Sequence, residues 1–244
     1  MRALSCPPVF VVGHPRSGTT WLTKLLGMHP RLGSVSETHL FNLYLHPFLT
    51  QRRKWLKDWV DDDRLDELLR DLVIGIFESA LQRRGKVRVV EKTPTHRYWI
   101  PQIRSFFPDA KFVHCVRDGR DVALSLLERR RKTGQQWIPR TLTGCARSWR
   151  ASIELMKRTR NELGGDVVLE VRYEDLLRHQ TEELERVLSF TGEPVERSTT
   201  EVMVSRFPPR APCGNWETKL NPIQKWRFRR VAGSTLRELG YRDR

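Results

Sequence analysis

The 244 residues contain no long apolar run, so no segment is expected to cross a bilayer as a helix. Ahead of Pro7 there is one basic residue, Arg2, and no apolar core, so a secretory signal peptide is not expected either. Cysteine is sparse. Cys6, Cys115, Cys145 and Cys213 form no C-x-x-C pair and no ligand cluster, which gives no basis for a metal site or a disulfide framework. A reduced, cytoplasmic setting without a membrane anchor is the expectation. Repeats, low-complexity tracts and linkers are missing as well, so residues 1–244 are read as a single domain.

Lysine is also scarce, at 10 of the 44 basic residues, and the arginine excess drives a formal charge of +15. Such a charge suits a polyanion, an anionic small ligand or merely an arginine-rich genome, and does not by itself name a partner. The run "ERRRKTG" (128–134) reads as a solvated helix end rather than a nucleic-acid patch, and no nucleic-acid partner is expected.

Strand-length apolar runs occur at "VFVVG" (9–13), "VRVVE" (87–91), "KFVHCV" (111–116) and "DVVLEVR" (166–172). Between them lies helical spacing: Trp21, Leu22, Leu25 and Leu26, then Leu65, Leu68, Leu69, Leu72 and Ile76, then Val122, Leu126 and Leu127. Alternating strands and helices predict an α/β fold, a doubly wound parallel sheet of about four to five strands flanked by helices. Ligands of such sheets bind beyond the carboxyl ends of the strands. The residues expected there are the loop with Arg16, then Lys92, Arg117 and Tyr173, which suit a strongly anionic ligand.

The loop "GHPRSGTT" almost fits the pattern G-x-x-x-x-G-K-[ST], with Gly13, Gly18 and Thr20 in place. Thr19 stands where the lysine belongs, and the cation is inside the loop, at Arg16. A glycine loop feeding a helix N-terminus offers amides and a positive dipole end to phosphate. Without the lysine, and with no strand ending in an aspartate for magnesium, a triphosphate mechanism has little support.

Five segments point to one family. "HPRSGTTWL" resembles the 5′-phosphosulfate loop of sulfotransferases that use 3′-phosphoadenosine-5′-phosphosulfate (PAPS), and "VRDGRDVALSL" resembles their 3′-phosphate motif, with Ser125 eight residues after Arg117. "EKTP", "YEDLL" and the stretch from "LNPIQKW" onward are similar to family segments in the same order. The resemblance implies a P-loop-type sheet and PAPS as co-substrate, with no metal. It places the 5′-phosphosulfate on the amides of Ser17, Gly18, Thr19 and Thr20, with Arg16 and Lys92 stabilising the sulfuryl group. Arg117 and Ser125 take the 3′-phosphate. Trp21 matches an adenine-stacking position, though its spacing also suits a core residue; Tyr173 matches an adenine contact or is a core or capping tyrosine. Arg210 and Gly214 match a loop that folds over the cofactor, and Trp216 either joins it or pins it.

An acceptor hydroxyl needs a general base. Glu37, 21 residues after Arg16, occupies the position of the catalytic glutamate in tyrosylprotein sulfotransferases. The E-x-H pattern with His39 is similar to heparan sulfate sulfotransferases, except that Asn42 replaces their aspartate. The plain alternative for Glu37 is a first-turn helix carboxylate behind a Ser36 cap. His39 is the second candidate base, and His14 is expected to face the cofactor side. The expected reaction is sulfuryl transfer to a carbohydrate, tyrosyl or small-molecule hydroxyl; the alternatives are a P-loop kinase and a basic polyanion-binding module. Segments 42–62 and 129–145, with Trp55, Trp59 and Trp137, either line an acceptor site or pack helices.

Overall fold

A computed structural model describes residues 3–208 and 212–241. Five strands, β1 (Val9–Gly13), β2 (Leu32–Ser36), β3 (Arg88–Lys92), β4 (Lys111–Val116) and β5 (Val168–Arg172), form one sheet in the order β2-β3-β1-β4-β5. Every neighbouring pair is parallel. Parallel neighbours require crossovers, and helices supply most of them. In chain order these are α1 (Thr19–Leu26), α2 (Arg53–Leu56), α3 (Asp62–Gln82), α4 (Ile100–Phe106), α5 (Gly119–Thr133), α6 (Leu142–Leu163), α7 (Tyr173–Arg178) and α8 (Gln180–Thr191), followed by α9 (Arg197–Arg206), α10 (Asn215–Lys219) and α11 (Pro222–Glu238).

All four strands expected from the sequence are present, and β2 is an addition. Its sequence, Leu-Gly-Ser-Val-Ser, carries no apolar run, which a partly covered edge position tolerates. The central β1 is buried at every position, which explains its unbroken apolar sequence. Alternation along it feeds two cores. Phe10 and Val12 join Phe41, Phe77, Val89 and Phe112 on one face. Val9 and Val11 join Leu22, Leu25, Val113 and Leu188 on the other. Phe10 alone meets the rings of Phe41, Phe77, Phe112 and His96 at centroid distances of 5.6–6.4 Å. Such pairs contribute roughly 0.5–1.5 kcal/mol each beyond area burial.

Helix ends follow their capping residues. Asp61 accepts the Arg64 amide at 2.8 Å to start α3, and Asn221 with Gln224 forms a capping box at α11. The buried stripe of α3 is Leu65, Leu69, Val73, Phe77 and Leu81; Leu68, Leu72 and Ile76, which share the same spacing, stay exposed. No helix among the described residues is long and apolar enough to cross a membrane.

His114 lies in β4 with its ring enclosed, and burial with nearby Arg97 and Arg160 lowers its pKa from 6.5 to about 3. An unfolded histidine binds its proton near 6.5, so stability is lost as pH falls from there toward the folded value. His114→Leu should therefore shrink the drop in urea midpoint between pH 7 and about pH 5. An undiminished drop would place the acid sensitivity elsewhere.

Candidate active site at the carboxyl rim of the sheet

Strand order lines up five chain segments. Across the rim stand Glu37 after β2, Lys92 at the end of β3, the 14–18 loop after β1, Arg117 after β4 and Tyr173 after β5. Ser36 pairs with Lys92 in the β2–β3 register, so Glu37 emerges beside that lysine.

The loop is shaped by close approaches. A Cβ on Gly13 would lie 2.6 Å from the Cys115 carbonyl oxygen, and one on Gly18, at φ +96°, would lie 2.4 Å from the Tyr173 ring. Arg16 itself sits at φ 77°, in the left-handed region that costs a non-glycine residue about 1–3 kcal/mol. The Ser17 amide donates to the His14 carbonyl at 3.1 Å, a turn that shapes the loop. The Ser17 hydroxyl is buried without a partner among the described residues. Thr19 and Thr20 open α1, where amides lack an i−4 carbonyl. A buried hydroxyl in want of a partner, open amides and nearby cations fit a phosphate-type anion.

His14 does not face this space. Its Nε2 lies 3.1 Å from Ser148 Oγ on α6, and burial together with Arg97 lowers its pKa to about 4. Arg97 is buried below the loop and donates to the Gly13 carbonyl at 3.0 Å.

Arg16 Nε donates to Ser125 Oγ at 2.9 Å, bringing the loop onto α5. Arg117 lies with its guanidinium carbon 4.5 Å over the Tyr173 ring and donates to the Pro212 carbonyl at 3.0 Å. Its buried Nε finds no acceptor among the described residues. Trp21 meets Tyr173 edge-on at 5.6 Å and donates through its indole to the Phe207 carbonyl. Arg16, Gly18, Thr20, Trp21, Arg117 and Tyr173 line a cavity of about 270 Å³. Trp21 and Tyr173 are thus core residues and cavity walls at once. Arg16, Arg117 and Ser125 share the wall of a second cavity, about 660 Å³, on the α5 side.

Asp121 holds the segment after residue 211. Its carboxylate accepts the amides of Gly214 at 2.7 Å and Trp216 at 3.0 Å, and burial raises its pKa. Arg120 stacks 3.5 Å over the Trp216 ring. Trp216 is therefore a pin, and the Gly214 amide is committed to Asp121. Arg210 lies outside the described residues.

Glu37 is not in a helix, contrary to the alternative weighed for it. It follows a strand, at φ 51°, and its amide donates to the Lys92 carbonyl at 2.6 Å. Lys92 Nζ donates to Glu37 Oε1 at 2.7 Å; the lysine side chain is 2% exposed and the carboxylate 54%. The Lys92 hydrogen bond is the main cause holding the Glu37 carboxyl below its usual 4.5, helped by the charges of Lys92, His39 and Arg129 against opposing burial. His39, at φ 53°, has its Nδ1 3.4 Å from the Asn42 Nδ2 amide, a donor where an aspartate would be an acceptor, so the carboxylate pairing of the heparan sulfate type is absent at this position. Trp55, Trp59 and Trp137 are exposed and do not pack the helices.

Two parts of the site escaped the sequence reading. Arg129 acts electrostatically on both Glu37 and Arg16, although it belongs to the run read as a solvated helix end. Its position four residues after Ser125, on the same face of α5, was the available signal. The other is a buried cluster behind the 37–39 turn. Glu91, fully buried, accepts Thr38 Oγ1 at 2.8 Å, Thr93 Oγ1 at 2.6 Å and His96 Nδ1 at 2.9 Å. Burial raises its pKa, but the hydrogen bonds from His96, Thr93 and Thr38 outweigh it and the net direction is down.

A model of the sulfotransferase family matches residues 7–197, which carry every rim residue. The chain belongs to the sulfotransferase family. A Drosophila melanogaster protein-tyrosine sulfotransferase is 28% identical over 204 residues, covering 77% of this chain and 38% of the fly protein. The chain spans less than two thirds of the length of the curated relatives it matches. Among solved structures, the sulfotransferase domain of a Synechococcus olefin synthase superposes with TM-score 0.64 at 21% identity, covering 96% of both chains. A mouse sulfotransferase complexed with PAP gives TM-score 0.60 at 17% identity, covering 96% of this chain and 86% of that one. At these identities the structural likeness is one of fold: the P-loop sulfotransferase sheet.

Lys92→Ala removes the main cause of the Glu37 shift, so the Glu37 carboxyl should titrate nearer 4.5, read by ¹³C NMR of the side-chain carbonyl. An unmoved titration would mean that Arg129 and His39 dominate instead.

Proposed function

We propose that this sulfotransferase moves the sulfuryl group of PAPS to the phenolic hydroxyl of a protein tyrosine, releasing 3′,5′-ADP, with Glu37 as general base. The observation that carries the reading is the Glu37–Lys92 pair, a carboxylate and a buried ammonium 2.7 Å apart on the rim that also bears the Arg16 loop. The tyrosyl acceptor is supported by the names of the curated relatives, protein-tyrosine sulfotransferases. PAPS is supported by the sulfotransferase solved with PAP and by the partnerless donors of Ser17 and Arg117.

In the reaction, an O–S bond forms between the acceptor oxygen and sulfur as the bond from sulfur to the 5′-phosphate oxygen breaks. Glu37 takes the phenolic proton, and the electron pair leaves with the phosphate. Arg16 and Lys92 are the cations for the equatorial sulfuryl oxygens and the developing phosphate charge, acting in a partly water-excluded site where such contacts are worth most. Arg117 serves the 3′-phosphate, with Ser125 beside it on the shared wall. Lys92 has one ammonium for two anions. Engaging the sulfuryl group therefore loosens its hold on Glu37 and lets that carboxylate regain basicity.

Melting-point shifts test the donor: 3′,5′-ADP should stabilise the protein selectively over 5′-AMP and Mg-ATP, and equal shifts would exclude the reading. Arg117→Ala should erase that preference. Glu37→Gln should lose sulfuryl transfer to a tyrosyl peptide by a factor of about 10²–10⁴ while retaining 3′,5′-ADP binding. Transfer by the wild type to a glycan panel but not to tyrosyl peptides, read by mass spectrometry, would reassign the acceptor.

A further inference from the structure

Among the described residues, the non-glycine positions with positive φ are Arg16, Glu37 and His39. Two of the three flank Thr38. Left-handed backbone at two positions of a three-residue stretch does not persist unless neighbouring groups over-determine it. Here those groups are in view. The Thr38 hydroxyl donates to Glu91 Oε1 at 2.8 Å and its amide points at the same oxygen at 3.3 Å. The His39 amide donates to Thr93 Oγ1 at 3.3 Å, and the Thr93 hydroxyl donates to Glu91 at 2.6 Å. His96 closes the cluster from behind, donating to the other carboxylate oxygen at 2.9 Å.

Glu91, Thr93 and His96 are all fully buried, none of them borders the cavities beside the loop, and none can reach a ligand there. An ionised carboxylate so placed is costly unless every hydrogen bond is met. Here Thr38, Thr93 and His96 meet that need, and the one donor of the three that lies in the rim turn is Thr38, between Glu37 and His39.

We propose that Glu91, acting through Thr38, is a positioning residue that sets the 37–39 turn and so holds the Glu37 carboxylate against Lys92. Glu91 and Lys92 are consecutive on β3, with side chains on opposite faces of the strand. One strand end therefore fixes both sides of the Glu37–Lys92 contact: Lys92 directly, and Glu91 through the turn. The inference rests on Glu37 being the base, but its central measurement does not require transfer activity.

The deciding variant is Thr38→Val, which keeps the side-chain shape and removes the hydroxyl donor, with Thr38→Ser restoring it. In Thr38→Val the Glu37 carboxyl should titrate closer to the ordinary carboxylate value by ¹³C NMR, and in Thr38→Ser it should return to the wild-type position. The rate constant kcat should fall by about 10- to 100-fold in Thr38→Val, as expected of a base displaced by a fraction of an ångström to an ångström, with the 3′,5′-ADP melting shift retained. Glu91→Gln should change kcat and the Glu37 titration in the same direction, again with the 3′,5′-ADP shift intact. A Thr38→Val protein whose Glu37 titrates as in the wild type overturns the proposal. Full transfer activity in Glu37→Gln would instead refute the base reading, and the titration would still decide whether Glu91 and Thr38 position Glu37.

Discussion

Parallel pairing of five strands is the constraint on which the site depends. Each strand runs the same way, so each delivers the residue that follows it to the same edge. β1 lies in the middle, with its apolar sequence fully buried and its glycine loop opening onto α1. The neighbours β3 and β4 bring Lys92 and Arg117 to either side of that loop, and the outer strands bring Glu37 and Tyr173. The rim is therefore ordered across the sheet: the Glu37–Lys92 pair at one end, the Arg16 loop in the middle, and Arg117 and Tyr173 toward the other end.

Electrostatics at this rim are deliberately unbalanced. Arg16, Lys92, Arg117 and Arg129 outnumber the exposed carboxylates of Glu37 and Glu128, and burial, with the charges of Arg129 and Arg117, lowers the Arg16 pKa against the opposing charge of Glu128. Crowded cations with partnerless donors favour an anion in place of water. The nearby carboxylates hold other donors: Asp121 holds the 214–216 amides, with Arg117 also 3.8 Å away, Asp118 holds Arg120, and Glu174 holds the Asp118 amide and the Tyr241 hydroxyl. These acids fasten the loops around the site.

Legibility differed between elements for physical reasons. The apolar runs of the interior strands β1, β3 and β4 announced themselves because buried parallel strands are apolar on both faces, and the edge strand β5 did so through Val168, Leu169 and Val171. β2 did not, since an edge strand of Leu, Gly, Ser, Val and Ser carries no such signature. That single omission made Glu37 look like a candidate for a helix start, whereas the strand places it on the rim next to Lys92. The Glu91 cluster was illegible for another reason: "EKTP" shows a glutamate beside a lysine, and nothing local says that one side chain points into the core and the other into the site.

The sequence by itself determined the alternation of strands and helices, the glycine loop with its arginine, and which residue types follow each apolar run. Those are properties of neighbours along the chain, where periodicity and backbone sterics act. Tertiary contacts alone set the order of the strands, the turning of His14 away from the site, the Glu37–Lys92 contact and the reach of Arg129 to both Glu37 and Arg16. Each of these depends on side chains tens of residues apart meeting across a sheet or a helix face, and such meetings leave no mark in local sequence.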